Sequence, residues 1–167
     1  FRKDPSYKNY TNEIDEVWFI FDVEKNDINK WDDRLKKINY LRKLRKNPNI
    51  HVRLLMTTGC IEYWFMLHRK FYVPSIQSVA EKERVISELK IQEPQYAKGD
   101  YEITSKIAKD YPVAVKYARE TVKRLEREGL PGIEESDERN RWLCRKCLTF
   151  SNVYEAIEFL ERLENNT

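Results

Sequence analysis

The chain has 167 residues, of which 35% are charged and 13% aromatic, and a net charge of +3. That length suffices for one domain with a real core or for two small lobes. The aromatic content excludes a disordered chain, and no apolar run approaches the roughly 18 residues that a membrane helix needs.

The charge is unevenly spread. Residues 1–75 carry 15 Lys/Arg against 10 Asp/Glu, a net of +5, while residues 76–167 carry 16 against 18, a net of −2. Residues 30–53 hold nine Lys/Arg against only Asp32 and Asp33. Such a cluster suits either a phosphate-rich ligand or a solvated helix face. Three cysteines, an odd number, do not make a secreted disulfide framework, so the expected compartment is a reducing cytoplasm. No segment has the layout of a signal peptide. The first residue is Phe1, and the chain reads as a fragment.

In chain order, residues 1–13 are polar and read as an exposed loop. The run Trp18-Phe19-Ile20-Phe21-Asp22-Val23-Glu24 is continuous in apolar residues and then turns acidic. It predicts a strand over 16–23, buried on both faces as strands of a parallel sheet are. A polar connection follows, in which Asp27 or Asn29 is expected to cap a helix over 30–46. Trp31, Leu35, Ile38, Leu41 and Leu44 form the buried stripe of that helix, and Asn47-Pro48-Asn49 ends it. His51 to Thr57 predicts a second strand. Strand, helix and strand in about 40 residues make a βαβ unit, hence a parallel pair with a right-handed crossover.

Thr58 is expected to cap a helix over 60–72 that is apolar almost all round and therefore buried. Pro74 closes it. Four further helices are predicted at 76–91, 100–110, 112–129 and 151–164, with a break at Gly129-Leu130-Pro131-Gly132. The expected organisation is an α/β half over 1–75 and a helical half over 76–167.

Ligands in open α/β sheets bind in the crevice beyond the carboxyl ends of the strands. Asp22 and Glu24 lie there, two apart, and point to one face if the backbone stays extended. They could hold Mg²⁺ or Mn²⁺, hard cations that prefer oxygen ligands; the alternative is a helix-capping Asp and a solvated Glu. Glu62 follows the second strand and faces the same crevice, so it could bind metal or activate water; a carboxylate in a first helical turn is also favoured by the helix dipole alone. His68 is six positions further, about 240° around a regular helix. The two do not share a face, and a lone His on a buried helix is ordinarily a satisfied core residue. Cys144-x-x-Cys147 has the spacing of half a zinc site, but no second Cys pair or spaced His pair follows to complete one, so structural zinc is not expected. Cys60, at a helix start, has no evident His partner and reads as core. Only four glycines occur, none in a phosphate-cradling spacing, so the chain itself does not read as an ATPase.

The stretch Asp15-Glu16-Val17-Trp18-Phe19-Ile20-Phe21-Asp22-Val23-Glu24 and the segment Thr58 to His68, with Glu62-x-Trp64-x-x-Leu67-His68 as its most specific piece, resemble the RloB-like family. Ser151-Asn152-Val153-Tyr154 and Tyr96-x-Lys98 are similar to further motifs of that family. The resemblance implies a Toprim-like nuclease of prokaryotic phage-defence loci, often encoded beside an ATPase. It places Asp22 and Glu24 at an Asp-x-Asp metal position, and Glu62 and His68 at the family's Glu and His. The chain departs from the pattern in Glu24 for Asp and in Thr58-Gly59-Cys60-Ile61 before Glu62. The first-strand Glu of the Toprim fold is not visible, so the α/β half is expected to lack its first strand.

The expected activity is Mg²⁺- or Mn²⁺-dependent hydrolysis of phosphodiester bonds in DNA or RNA, with Asp22 and Glu24 on the metal, Glu62 and His68 in catalytic roles, and Arg42, Lys43, Arg45 and Lys46 on flanking phosphates. The competing class is a non-catalytic module that binds nucleic acid or a partner ATPase. Self-association is left open.

Overall fold

The computed structural model describes residue 14 and residues 16–45 and 49–165. The protein is an α/β fold with a short parallel sheet, and no helix among the described residues is long and apolar enough to cross a membrane. Strand β1 spans Glu16–Val23 and pairs in parallel with β2, His51–Thr58, in a register that sets Asp22 opposite Thr57. Between them run a 3₁₀ turn over Lys25–Lys30 and helix α1 over Trp31–Arg42, which buries Trp31 and Ile38. The βαβ unit is thus present.

The burial is the reverse of the expectation for β1. Its Phe19 is 38% exposed and its Ile20 66%, whereas β2 is buried at every position after His51. The difference lies in what covers each edge of β2. On one side is β1. On the other runs the segment 148–152: Thr58 N–H donates to the Phe150 carbonyl at 2.9 Å and Asn152 N–H to that of Met56 at 3.0 Å. The Asn152 side chain repeats the pattern, its Oδ1 accepting from Met56 N–H at 2.5 Å and its Nδ2 donating to the Leu54 carbonyl at 2.8 Å. A side-chain amide here satisfies strand groups that would otherwise be buried and unpaired.

After β2 come α2 (Glu62–Leu67), α3 (Val79–Gln92), α4 (Tyr101–Ala108), α5 (Tyr111–Arg124) with a 3₁₀ turn over Leu125–Glu128, α6 (Asp137–Lys146) and α7 (Tyr154–Asn165). Ser78 and Glu81 form a reciprocal capping box at the start of α3, and Asp100 accepts from Ile103 N–H at the start of α4. One continuous core joins Val23, Val52 and Met56 of the sheet to Tyr63, Leu67, Val85, Ala118, Leu143 and Tyr154 of the helices.

Four local expectations are corrected. Neither Asp27 nor Asn29 caps α1; Asp27 instead binds Lys30 at 2.6 Å and Arg34 at 2.5 Å. Thr58 does not cap α2, because its hydroxyl donates to the Leu148 carbonyl at 2.6 Å and accepts from Phe150 N–H at 3.2 Å. The helix expected over 60–72 is only Glu62–Leu67. Just beyond its end, Arg69 is tied to Glu93 and Asp110, and Lys70 to Glu88, so the chain there follows partners on other elements. Helix α6, unpredicted, buries Arg139 and Asn140 in place of an apolar stripe.

At the amino ends of the strands, His51 Nε2 lies 3.1 Å from Glu135, which also takes Arg53 at 3.2 Å. The bond to Glu135 raises the His51 pKa above its ordinary value, against burial. A histidine with a raised folded-state pKa adds stability that is fully present below its unfolded pKa of about 6.5 and is lost as pH rises through the folded value. The side chain is 48% exposed, so the effect is screened and stays under about 1 kcal/mol. The stability lost by His51→Ala in urea denaturation is expected to be larger at pH 6 than at pH 8. An equal loss at both would contradict the pairing.

Candidate functional site

The site begins with the ends of the two strands. Gly59, just past β2, donates its N–H to the Val23 carbonyl at 2.9 Å, which folds the chain across the carboxyl end of β1. Its φ of +76° is in the left-handed region, which glycine enters at little cost. Three residues on, Glu62 opens α2. On β1 the backbone stays extended through Glu24 (φ −118°, ψ 150°), so Asp22 and Glu24 share a face.

Glu62 is the most telling group. It is 1% exposed among apolar neighbours. Its Oε1 accepts from the Tyr96 hydroxyl at 3.1 Å and has the Lys98 ammonium 4.0 Å away. Its Oε2 is buried with no hydrogen-bond partner among the described residues. A buried carboxylate oxygen left unsatisfied is costly, a cost that a bound ligand would relieve. Asp22, exposed at the strand end, is close enough to be affected: partial burial raises its pKa, the Glu62 and Glu24 charges raise it further, and Lys82 and Lys98 pull it back. Mutual repulsion among carboxylates in a crevice is the condition that a cation relieves.

Glu24 behaves differently, because it forms an ion pair with Lys82 of α3. Among the described residues no three His, Cys, Asp or Glu side chains come close enough to share a metal ion. The oxygen donors of Asp22 and Glu62 suit a hard divalent cation, which would engage the free Oε2.

His68 is not brought to this cluster. It caps the end of α2, 4% exposed, with Nδ1 3.0 Å from the Trp64 carbonyl and its ring edge-on to Trp64. Burial lowers its pKa, and the charges acting on it are those of Arg69 and Asp110. Its ring belongs to the core. The basic residues singled out on α1 also lie elsewhere. Arg42 makes a two-pronged pair with Asp137 at 2.9 and 2.8 Å and its carbonyl accepts from Ile50 N–H, so it stands beside the start of β2. Six residue steps along the strand, from Glu16 to Asp22, separate that end of the sheet from Asp22, roughly 20 Å. Lys43 is exposed there, Arg45 is partnered, and Lys46 lies outside the described residues.

The cations that do meet the acids are Lys82 and Lys98, with the Tyr96 hydroxyl beside them. Sequence reading noted Tyr96-x-Lys98 as a motif and gave it no role, and it passed over Lys82. Nothing local in either segment reports that it packs against the end of β1.

The three cysteines are free and buried. Cys144 faces the Met56 sulfur at 3.6 Å and Cys147 the Val23 carbonyl at 3.8 Å. Burial and the Glu62 charge push the Cys60 thiol up to about 11, which leaves it protonated and unreactive.

Fold and site together define an α/β protein whose carboxylates converge beyond the ends of parallel strands. A comparison with protein families matches residues 3–160 to the one described as RloB-like protein, and the chain belongs to that family. No curated protein and no solved structure matches it.

Proposed function

We propose that this chain is the Toprim-like core of a metal-dependent nuclease that hydrolyses phosphodiester bonds of DNA or RNA, in a prokaryotic phage-defence setting. The observation that carries the reading is the buried Glu62 carboxylate with one unsatisfied oxygen beside Asp22, at the end of β1. Asp22 and Glu62 would hold Mg²⁺ or Mn²⁺. When bound, the cation supplies charge to the scissile phosphate and lowers the pKa of attacking water. Lys98, whose side chain is 83% exposed beside the acids, would contact substrate phosphate. Lys82 neutralises Glu24 and thereby limits repulsion of that phosphate. Free cysteines suit a cytoplasmic location.

Asp22→Ala is expected to abolish Mg²⁺-dependent cleavage by the full-length protein while leaving its circular dichroism spectrum intact. Plasmid DNA, single-stranded DNA and transfer RNA are the substrates to offer. Undiminished cleavage by the purified variant would remove Asp22 from the mechanism.

A second reading rests on Glu24. With that carboxylate paired to Lys82, Asp22 and Glu62 alone remain for a metal among the described residues, as in a domain that has given up catalysis and binds nucleic acid or a partner ATPase. Nucleic-acid or ATPase binding that is retained with no response to Mn²⁺ would favour it.

A further inference from the structure

The two oxygens of Glu62 are treated differently by the fold. Oε1 faces the segment between α3 and α4, where the Tyr96 hydroxyl donates to it; Oε2 is buried and makes no hydrogen bond within normal geometry among the described residues, with the Cys60 thiol as its neighbour. Tyr96 is itself held firmly. Its residue is 6% exposed, its ring meets Phe65 edge-on at 6.0 Å between centroids, and its backbone N–H donates to the Glu93 carbonyl at 2.8 Å. Phe65 lies on α2, one turn from Glu62, so ring and hydroxyl both register against the same short helix. A carboxylate at the end of a Glu side chain turns easily about its last torsion. A single fixed donor on one oxygen stops that rotation and leaves the other oxygen aimed.

We propose that Tyr96 is the positioning residue of Glu62, its hydroxyl fixing Oε1 so that Oε2 is presented to a divalent cation shared with Asp22. This rests on the metal-binding reading above and adds to it a residue that touches no metal. The phenol hydroxyl donates its hydrogen bond to Oε1, so it acts as a donor and not as a ligand. Outer-shell partners that orient metal ligands typically change metal affinity about 10- to 100-fold when removed.

The test is calorimetric titration of Mn²⁺ into the wild-type chain and into Asp22→Ala, Tyr96→Phe, and a variant carrying 4-aminophenylalanine at position 96. Phenylalanine keeps the ring packed on Phe65 and deletes only the donor; the amino analogue keeps ring and donor. The expected result is saturable binding by wild type, its loss in Asp22→Ala, about tenfold weaker binding by folded Tyr96→Phe, and recovery with the amino analogue. A purely packing role for Tyr96 would not separate those last two variants. Wild-type affinity in folded Tyr96→Phe would overturn the positioning role and leave the metal reading standing. If Tyr96→Phe does not fold, 4-methylphenylalanine at position 96, which fills the space of the hydroxyl without a donor, takes its place: wild-type affinity in that folded protein overturns the role, and weaker binding that the amino analogue restores supports it. Absence of saturable Mn²⁺ binding by wild type, or binding unchanged in Asp22→Ala, would overturn the metal reading and this inference with it.

Discussion

Arg139→Ala is expected to lower the stability of the fold by about 3–5 kcal/mol, the range for removing one partner of a buried ion pair. Arg139 is 1% exposed, and its guanidinium donates to Glu155 at 2.6 and 3.3 Å, to Asn140 Oδ1 at 3.3 and 3.0 Å and to the Ile133 carbonyl at 2.7 Å. Glu155 in turn accepts from Asn152 Nδ2 at 3.1 Å, the same amide that closes the edge of β2. Deleting the guanidinium leaves a buried carboxylate, a carbonyl and an amide without their donor. Burial already raises the Glu155 pKa, and Arg139 is what opposes the shift. In the variant that pKa should rise further. A carboxyl whose folded-state pKa is raised keeps its full contribution below the unfolded value of about 4.5 and loses it as pH climbs through the folded one. The cost of Arg139→Ala should therefore be smaller at pH 5 than at pH 8. Replacing the whole pair, Arg139→Met with Glu155→Leu, should recover most of the loss, since apolar isosteres of a buried pair are often neutral or better. Urea denaturation of the three proteins at both pH values checks this, and a single-variant loss under about 1 kcal/mol at pH 8 would show that the network carries little.

That network also shows why α6 escaped the sequence reading. Periodicity detects a helix by its apolar stripe, and the stripe here is Arg139, Asn140, Leu143 and Cys144. The local signal that did exist was at the start: Ser136 accepts from Arg139 N–H, and Asp137 and Glu138 fill the first turn. By contrast both strands were legible within a residue, because apolar runs followed by an acid or by Thr-Gly are local facts. The site was legible by halves. Asp22, Glu24 and Glu62 follow from where strands end, and the structure sets them within electrostatic reach of one another. Tyr96 and Lys98, 34 and 36 residues beyond Glu62, meet Glu62, and Lys82, 20 residues beyond it, meets Glu24, all through the packing of α2 on α3. Thr58 illustrates the same limit: its hydroxyl was available as a cap, but a backbone segment ninety residues later takes both its donor and its acceptor.

Gly59 is where the fold and the site depend on one atom. Gly59→Ala is expected to cost about 2–5 kcal/mol, from two separable terms. A side chain at φ +76° costs about 1–2 kcal/mol. The added Cβ would also stand 2.2 Å from Ile76 Cγ2 and 3.3 Å from the Ile76 carbonyl oxygen, and Ile76 is 1% exposed with no room to retreat, so overpacking adds about 1–3 kcal/mol. Leucine has no Cγ2, so Ile76→Leu in the Gly59→Ala background should return most of the steric part and none of the backbone part. A full rescue would mean that the left-handed turn is not a constraint, and no rescue would mean that the backbone term dominates. The consequence for the site follows from the chain path. Gly59 N–H holds the Val23 carbonyl, Asp22 precedes Val23, and Glu62 is three residues beyond Gly59. Relief of the clash by shifting the turn would therefore move the two acids relative to each other, and misplacement by about 1 Å is enough to cost a site of this kind up to about a hundredfold. On the metal-binding reading proposed above, Gly59→Ala should bind Mn²⁺ more weakly than wild type even at temperatures where it is fully folded. The Ile76→Leu companion should restore that affinity only to the extent that it restores stability, because one turn controls both.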